Sequence, residues 1–185
     1  MRTVTYAMNI SIDGSCDYTA FTPDEELLDY FTGMMEDVDL LFYGRIMYQI
    51  MFPYWSDIAK KQSGTNAENA FAQRINSIEK IVLSKSLDAV EGNTKIVRDN
   101  PIGEIKKLKQ QPGKKISVDS ISLLPQLITE GLIDEFYFVI HPVIVGKGRQ
   151  LLDTESLQER LHLRLIESKV FTSGYIGLHY LKAEY

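Results

Sequence analysis

The sequence predicts one α/β domain with a mixed, mostly parallel central sheet. Short apolar segments of strand character alternate with segments of helical spacing, which is typical of parallel strands joined by helices on both faces of a sheet. The last two apolar segments flank the turn residues 172–174 and predict a C-terminal antiparallel hairpin. The length of 185 residues suits a single domain, 1–185. No internal repeat or linker divides the chain.

The first strand is predicted from alternating residues near the N-terminus. Apolar side chains occupy every second position, at Val4, Tyr6, Met8, Ile10 and Ile12. One face should therefore be buried, while the small and polar residues between them face a cleft. Asp13-Gly14 ends this strand with turn chemistry.

The first two helices have recognisable starts. Thr22-Pro23-Asp24-Glu25 predicts a helix with Thr22 as N-cap and Pro23 at its first position. A strand over 39–43 then turns at Gly44-Arg45 into a helix over 46–51, which Pro53 is expected to stop. The polar segment 60–69 is interpreted as a surface loop or a weak extension of that helix.

The remaining elements follow from the same patterns. Strands are predicted at 80–83, 116–118 and 135–145, the last interrupted by Pro142, with helices at 102–109 and 123–130. Ser122 is the expected N-cap of the last helix and Gly131 its C-terminal stop. The hairpin strands are expected around 161–165 and 175–180.

Composition excludes several classes of protein. The net charge of −5 argues against sequence-independent binding of nucleic acid. The lone Cys16 excludes an intramolecular disulfide and fits a reducing compartment. Residues 1–14 do not form a signal peptide, and no apolar segment is long enough for a membrane span, so a cytoplasmic location is expected. His141, His162 and His179 are scattered, so no metal site and no Ser/His/Asp arrangement is predicted.

Polar or small residues follow three predicted strands, at Gly44-Arg45, Ser84-Lys85 and Asp119-Ser120. Ligands of open α/β sheets bind beyond the carboxyl ends of the strands, where helix N-termini attract phosphate. Arg45 and Lys85 would add positive charge. Together these residues predict a site for a phosphorylated nucleotide. Gly44-Arg45 alone is equally typical of an ordinary turn with a solvated charge, and Ser84-Lys85 alone is more typical of a solvent-facing loop.

For two other features, a structural role is the preferred interpretation. Gly146-Lys147-Gly148 lacks the glycine spacing of a phosphate-binding loop and is interpreted as a turn. The aromatic residues after the Gly44-Arg45 turn are spaced as a buried helical stripe. A pocket wall is the second interpretation, because Tyr48 and Trp55 have polar tips.

The order and spacing of these segments resemble the dihydrofolate reductase-like group, which includes the reductase domain of riboflavin biosynthesis and small stand-alone bacterial proteins. The resemblance covers nearly the whole chain and is carried by segments 8–14, 41–48 with Trp55, 81–85, 131–135 and 141–148. It implies a three-layer α/β/α fold with an NADPH cofactor. It also implies hydride transfer to a small heterocyclic or nucleotide-like substrate of pteridine or aminopyrimidine type, and a homodimer.

The resemblance also implies the residues of the site. Those expected to bind the cofactor are Ala7, Ile12, Gly14, Gly44, Arg45, Met47, Leu83, Ser84, Lys85, Asp119 and Ser120. Those expected on the substrate side are Asn9, Asp13, Tyr48 and Trp55.

Two positions depart from the family pattern. Met47 stands where many relatives have Thr, and Asp119-Ser120 stands where Gly-Gly or Gly-Ser is usual. A carboxylate at 119 that points inward would repel a phosphate by about 4 kcal/mol at ~4 Å and an effective dielectric of about 20. One that points away would cap the helix near Ser122.

These departures support an alternative function, a non-catalytic binding or interaction protein that keeps the fold but has lost tight cofactor binding. A reductase that uses another nucleotide or a flavin is a third hypothesis. No catalytic acid can be assigned, because Asp13 and Asp24 are candidates by chain position only.

Overall fold

The computed structural model describes residues 1–17, 19, 21–152, 157 and 159–183. Its helices and strands are, in chain order, β1 (Val4–Ser11), α1 (Glu25–Met34), β2 (Val38–Gly44), α2 (Arg45–Lys61), α3 (Asn66–Ser77), β3 (Glu79–Leu83), β4 (Thr94–Val97), α4 (Pro101–Lys109), β5 (Lys115–Asp119), α5 (Leu124–Thr129), β6 (Glu135–His141), β7 (Leu163–Val170) and β8 (Ile176–Lys182). They belong to two compact units, of which the first comprises 1–2 and 23–120 and the second 3–22 and 121–185. The expectation of a single domain stays a prediction.

The first unit contains four parallel strands in the order β4-β3-β2-β5. Gly44 at the end of β2 pairs with Leu83 at the end of β3, and Tyr43 pairs with Asp119 at the end of β5. Because the strands are parallel, their carboxyl ends lie side by side. The register therefore brings the three predicted polar strand ends to one edge.

Helix α2 differs most from the prediction, because it continues through Pro53 to Lys61. A proline inside a helix costs about 3 kcal/mol. Phe52, Trp55 and Ile58 are buried in the same hydrophobic core as α3, and full burial of each such side chain contributes about 1.5–3 kcal/mol. Their combined burial exceeds the cost of the proline, so the prediction that the helix stops there is wrong.

Helix α3 was not predicted as a separate helix, although the segment assigned to a loop contains its start signal. The Thr65 hydroxyl accepts a hydrogen bond from the Glu68 N–H, and the Glu68 side chain accepts one from the Thr65 N–H. This capping box opens the helix after a loop of only a few residues.

Three smaller details also differ. The N-cap of α1 is Asp24, whose carboxylate accepts the Leu27 N–H at 2.8 Å, so the prediction of Thr22 is wrong by two residues. Helix α5 has Leu123 as its N-cap with no side-chain cap, so Ser122 is not the cap that we predicted. Strand β4 was not predicted, because its four residues form an edge strand of mixed polarity.

The second unit contains β1, β6, β8 and β7. Strand β1 pairs with β6 in parallel, and β8 pairs antiparallel with both β6 and β7, which confirms the C-terminal hairpin. Strand β1 ends at Ser11, and Gly14 in the following turn has φ +79°. Ile12 is 61% exposed, so its assignment to the buried face is wrong.

The strand pairs are parallel except for the two that involve β8. The predicted α/β class with a mixed, mostly parallel sheet is therefore confirmed. Among the described residues, no helix combines the length and the apolar character that crossing a membrane requires.

Candidate functional site

Gly44 and Ser120 approach each other closely where β2 and β5 end. A Cβ atom on Gly44 would lie 2.8 Å from the Ser120 Oγ and 3.3 Å from its Cβ. The φ angle of Gly44 is −69°, so glycine is needed here for space and not for conformation. We name the residues at this edge, Gly44, Arg45, Ser84, Asp119 and Ser120, the strand-end cluster.

The N-terminus of α2 opens at this cluster. Gly44 is its N-cap and offers no side chain to accept the first-turn N–H groups, and the first turn contains no acidic residue. Such a helix end has unpaired donors and a positive partial charge that favour an anion. Arg45 is exposed, and its guanidinium donates a hydrogen bond to Gln49 Oε1 at 3.1 Å.

Ser84 and Lys85 have different roles in the structure. The buried Ser84 Oγ accepts the N–H groups of Ser86 at 3.3 Å and Leu87 at 2.9 Å, so it shapes the turn after β3. The Lys85 ammonium is exposed and lies 3.9 Å from the Asp99 carboxylate. An exposed pair of this kind contributes little to stability, which leaves the ammonium able to contact a ligand.

Arg98 is a further cation here that the sequence analysis did not find. Its guanidinium donates to the Ser84 carbonyl at 3.1 Å. Arg98 directly follows β4, so the strand-end rule would have identified it had β4 been predicted.

Asp119 does not cap a helix, because α5 has no side-chain cap. No hydrogen bond or ion pair of its carboxyl occurs in the described part of the chain. Burial raises the pKa of Asp119 to about 7. Burial, followed by the charge of Asp119, also raises the pKa of Tyr43 well above its ordinary value.

Tyr48 and Trp55, expected on the substrate side, lie in the hydrophobic core of the first unit. Tyr48 is 6% exposed and stacks on Phe52 at 5.1 Å, and Trp55 is 7% exposed and contacts Phe71 edge-on at 4.7 Å. Met47 packs against the same core. Their burial supports the core interpretation, and a role in substrate binding stays a prediction.

In the second unit, Asp13 holds two loops together. Its carboxylate accepts the Ser11 hydroxyl at 2.5 Å and the N–H groups of Val145 at 3.1 Å and Gly146 at 2.7 Å. These bonds, the one from Ser11 first, lower the pKa of Asp13 to about 2. Asp13 is therefore an ionised acceptor near neutral pH and not a proton donor.

Backbone hydrogen bonds join the same two segments, 11–16 and 141–151, which we name the loop pair. The N–H of Ile12 donates to Val143, that of Cys16 to Arg149 and that of Leu151 to Gly14, at 3.0, 2.7 and 3.1 Å. Burial raises the pKa of the Cys16 thiol to about 11, so the thiol is neutral near neutral pH. The Gly146-Lys147-Gly148 segment is part of this loop pair.

Asn9 is held by a histidine inside an aromatic cluster. Its Oδ1 lies 3.0 Å from Nε2 of His141, whose ring stacks on Phe21 at 4.3 Å and contacts Tyr175 at 4.5 Å. His141 is 3% exposed. Ala7 lies two residues earlier on the same face of β1. The aromatic partners could not be predicted, because they are distant in sequence.

Both carboxylates suggested as an acid have a structural role. Asp24 accepts the Leu27 N–H as the helix cap, and Asp13 is held ionised. Among the described residues, no group of three or more His, Cys, Asp or Glu side chains is arranged to hold a metal ion.

The strand order and the uncapped helix start at a strand end define an α/β protein with a helix terminus suited to an anionic ligand. The family model of the RibD C-terminal domain matches residues 2–176, and the chain belongs to this family. The protein YyaP of Bacillus subtilis (strain 168), itself uncharacterized, is 28% identical over 169 residues, covering 91% of this chain and 85% of YyaP.

Solved structures show the same fold at low sequence identity. A pyrimidine reductase-like protein from Corynebacterium diphtheriae has a TM-score of 0.68 at 15% identity, covering 98% of this chain and 92% of that one. Dihydrofolate reductase from Enterococcus faecalis, solved with NADP(H) and RAB-propyl, has a TM-score of 0.64 at 10% identity, covering 98% and 97%. The predicted dihydrofolate reductase-like fold is thereby confirmed.

Proposed function

We propose that this protein is an NADPH-dependent reductase that transfers hydride to a small heterocyclic or nucleotide-like substrate of pteridine or aminopyrimidine type. The observation that carries the proposal is the close approach of Gly44 and Ser120 at the uncapped start of α2. The family membership and the NADP(H) complex of the Enterococcus faecalis enzyme add support.

The residues of the strand-end cluster fit the phosphates of a dinucleotide. Gly44 lets a phosphate reach the first-turn N–H groups, because it has no side chain of its own to cap them. Arg45, Lys85 and Arg98 provide guanidinium and ammonium donors for phosphate oxygens. Leu83 and Ser84 form the adjoining strand end, where the adenosine part and its 2′-phosphate would lie.

The other predicted contacts are assigned to residues of β1 and of the turn after it. Ala7, Ile12 and Gly14 are assigned to the nicotinamide, and Asn9 and Asp13 to the substrate side. NADPH, when bound, supplies the hydride, so the chain itself must position the cofactor, orient the substrate and exclude water. The His141 contact fixes the Asn9 amide in one orientation, which suits it to substrate positioning.

The first test is a calorimetric titration of the protein with NADPH, together with thermal unfolding. At 100 times the Kd, the ligand should stabilise the fold by about 2.7 kcal/mol. Quenching of Trp55 fluorescence is a poor readout of binding, because Trp55 is the single tryptophan of the sequence and lies in the core. Oxidation of NADPH should then be followed with a panel of pteridines and aminopyrimidines.

Arg45→Ala tests the cation at the start of α2. Losing a charge-assisted contact to phosphate should weaken binding by about 1.5–3 kcal/mol. Lys61→Ala is the matched control, since it removes one exposed cation from the other end of the same helix, where the ammonium pairs with Asp57 at 2.8 Å. Equal effects of the two variants would contradict a localised phosphate site.

The alternative is a non-catalytic binding or interaction protein that keeps the fold. The carboxyl of Asp119, which has no ion pair or hydrogen bond in the part of the chain that the structure describes, favours it. Met47, whose side chain packs against the core, also favours it. No response of the wild type and of Asp119→Asn to millimolar NADPH would select this alternative.

We further propose a cytoplasmic homodimer. The apolar side chains of Leu165, Val170 and Ile176 on β7 and β8 are 50%, 74% and 38% exposed, which is costly for a monomer. The single, buried Cys16 is compatible with a reducing compartment. Sedimentation of the wild type and of Val170→Lys tests the dimer, and a monomeric wild type at micromolar concentration would contradict it.

A further inference from the structure

Asp119 occupies a distinctive position in the strand-end cluster. It ends β5 and pairs in register with Tyr43, and Tyr43 directly precedes Gly44, the N-cap of α2. It also directly precedes Ser120, whose hydroxyl would lie 2.8 Å from a Cβ atom on Gly44. The carboxyl group is therefore attached at the strand end that adjoins the start of α2.

The charged and titratable groups of the adjoining elements do not neutralise this carboxyl. On β2, the buried phenol of Tyr43 faces it and carries no positive charge. On α2, the Arg45 guanidinium is bonded to Gln49, and the Tyr48 hydroxyl accepts the Glu91 N–H at 3.2 Å. In the described part of the chain, no ion pair or hydrogen bond of the Asp119 carboxyl occurs.

A carboxyl in this position exists in two forms near neutral pH, because burial raises the pKa of Asp119 to about 7. The ionised form places a negative charge beside a helix end that would otherwise favour an anion. The neutral form removes that charge and adds one O–H donor, which can bond a phosphate oxygen.

We propose that Asp119 determines whether the strand-end cluster accepts a phosphorylated nucleotide: its neutral acid admits the phosphates, and its carboxylate excludes them. This inference rests on the proposed function, since it concerns the cofactor of the same site. It assigns Asp119 as the residue that makes cofactor affinity depend on pH.

Linkage fixes the form of this dependence. If only the neutral acid admits the ligand, the observed affinity falls up to tenfold for each pH unit above the pKa of Asp119. By reciprocity, a bound nucleotide raises the pKa of Asp119 by the same coupling.

The test measures the Kd for NADPH by calorimetry between about pH 6 and pH 9, for the wild type, Asp119→Asn and Asp119→Gly. Wild-type affinity should fall about 100-fold over the two pH units above the midpoint, while both variants keep a shallow profile. The 2′-phosphate of NADPH also titrates, but it does so equally with all three proteins and cancels in the comparison. Asp57→Asn is the matched control, since it removes an exposed carboxylate from the far end of α2 and should keep the wild-type profile.

A second measurement does not depend on turnover. Carbon-13 NMR of aspartate-labelled protein gives the titration midpoint of the Asp119 carboxyl, identified by its absence from the Asp119→Asn spectrum. The midpoint should lie near neutral pH in the free protein and move upward with NADPH.

The outcomes separate the two proposals. Binding of NADPH with parallel pH profiles in the wild type and Asp119→Asn would overturn the role of Asp119 and leave the proposed function intact. Absence of binding in all three proteins, each folded by circular dichroism, would overturn both. If Asp119→Asn fails to fold, Asp119→Gly takes its place both in the binding titrations and in the assignment of the NMR signal.

Discussion

The strand-end cluster and the loop pair each contain an aspartate just beyond or at the end of a strand, and the two aspartates have opposite environments. Asp13 in the loop pair accepts three hydrogen bonds, which lower its pKa to about 2. Asp119 in the strand-end cluster is half-buried, no such bond of its carboxyl occurs among the described residues, and burial raises its pKa to about 7. The difference shows that the surroundings of a carboxylate, and not its place after a strand, decide whether its pKa is lowered or raised.

This difference predicts opposite responses to mutation. Replacing a satisfied polar group in the loop pair should destabilise the fold, because its partners lose their bonds. Replacing the unsatisfied carboxyl in the strand-end cluster should stabilise the fold where that carboxyl is ionised, at the expense of a functional group.

Asp119→Asn should give the largest effect. Because the pKa is raised, the folded state binds more protons than the unfolded state between about pH 4 and pH 7. The free energy of unfolding of the wild type should therefore fall as pH rises through this window and stay low above it. Because the Asp119 side chain is half-buried, this fall in the free energy of unfolding should be at most on the order of 3 kcal/mol.

Urea unfolding of the wild type and Asp119→Asn across this pH range measures the effect. As pH rises, the free energy of unfolding of Asp119→Asn should increase relative to that of the wild type, with most of the increase complete by about pH 8. Parallel curves for the two proteins would show that Asp119 ionises in the folded state as it does in the unfolded chain.

Ser11→Ala should have the next largest effect, with the opposite sign. The Ser11 hydroxyl donates to Asp13 and accepts the Ser15 N–H at 2.9 Å, and both serines are buried. Leaving the Ser15 N–H without its acceptor should cost about 1–3 kcal/mol, measured by urea unfolding. Ser173→Ala, in the exposed hairpin turn, is the control and should stay within about 0.5 kcal/mol of the wild type.

Gly44→Ala tests the close approach to Ser120. The added methyl group would lie 2.8 Å from the Ser120 hydroxyl, so the Ser120 side chain or the strand ends must shift, at a cost of about 1–2 kcal/mol and with weaker NADPH binding. Gly33→Ala, in α1, meets no atom within 4 Å and should stabilise by about 0.5–1 kcal/mol. An equal increase in stability in both variants would show that a methyl group fits between the strand ends without displacing them.

The fold was largely predictable because local patterns encode it. Alternating apolar residues and turn signals located most of the strands, and the order of elements indicated a mixed, mostly parallel sheet. The errors arose where tertiary burial outweighed a local signal. Pro53 does not stop α2 because the residues around it are buried, and β4 is too short and too polar for its pattern to show.

The candidate site was predictable only in part. The strand-end rule identified Gly44, Ser84 and Asp119, because parallel strands place their carboxyl ends together. It could not reveal that the Ser84 hydroxyl is engaged by the backbone, or that no hydrogen bond of the Asp119 carboxyl occurs among the described residues. Both facts depend on contacts between residues that are distant along the chain or on exact side-chain positions.

Asp13→Asn should give the smallest effect on stability, because the side chain is exposed. Since the pKa of Asp13 is lowered, the folded state binds fewer protons than the unfolded state between about pH 4 and pH 2. Its contribution to stability is therefore fully present above about pH 4 and is lost as pH falls towards 2. The difference in thermal stability between wild type and variant should therefore disappear as pH falls through that window.

Amide hydrogen exchange gives the local readout of the same variant. An asparagine has one acceptor oxygen in place of two, so it cannot accept the Val145 and Gly146 N–H groups as the carboxylate does. Exchange at these two amides should accelerate near neutral pH, while Asp88→Asn, at an exposed position, should leave them unchanged. Unchanged protection in Asp13→Asn would mean that the backbone bonds between segments 11–16 and 141–151 hold the loop pair without the carboxylate. The two aspartates would then differ in pKa but not in structural role.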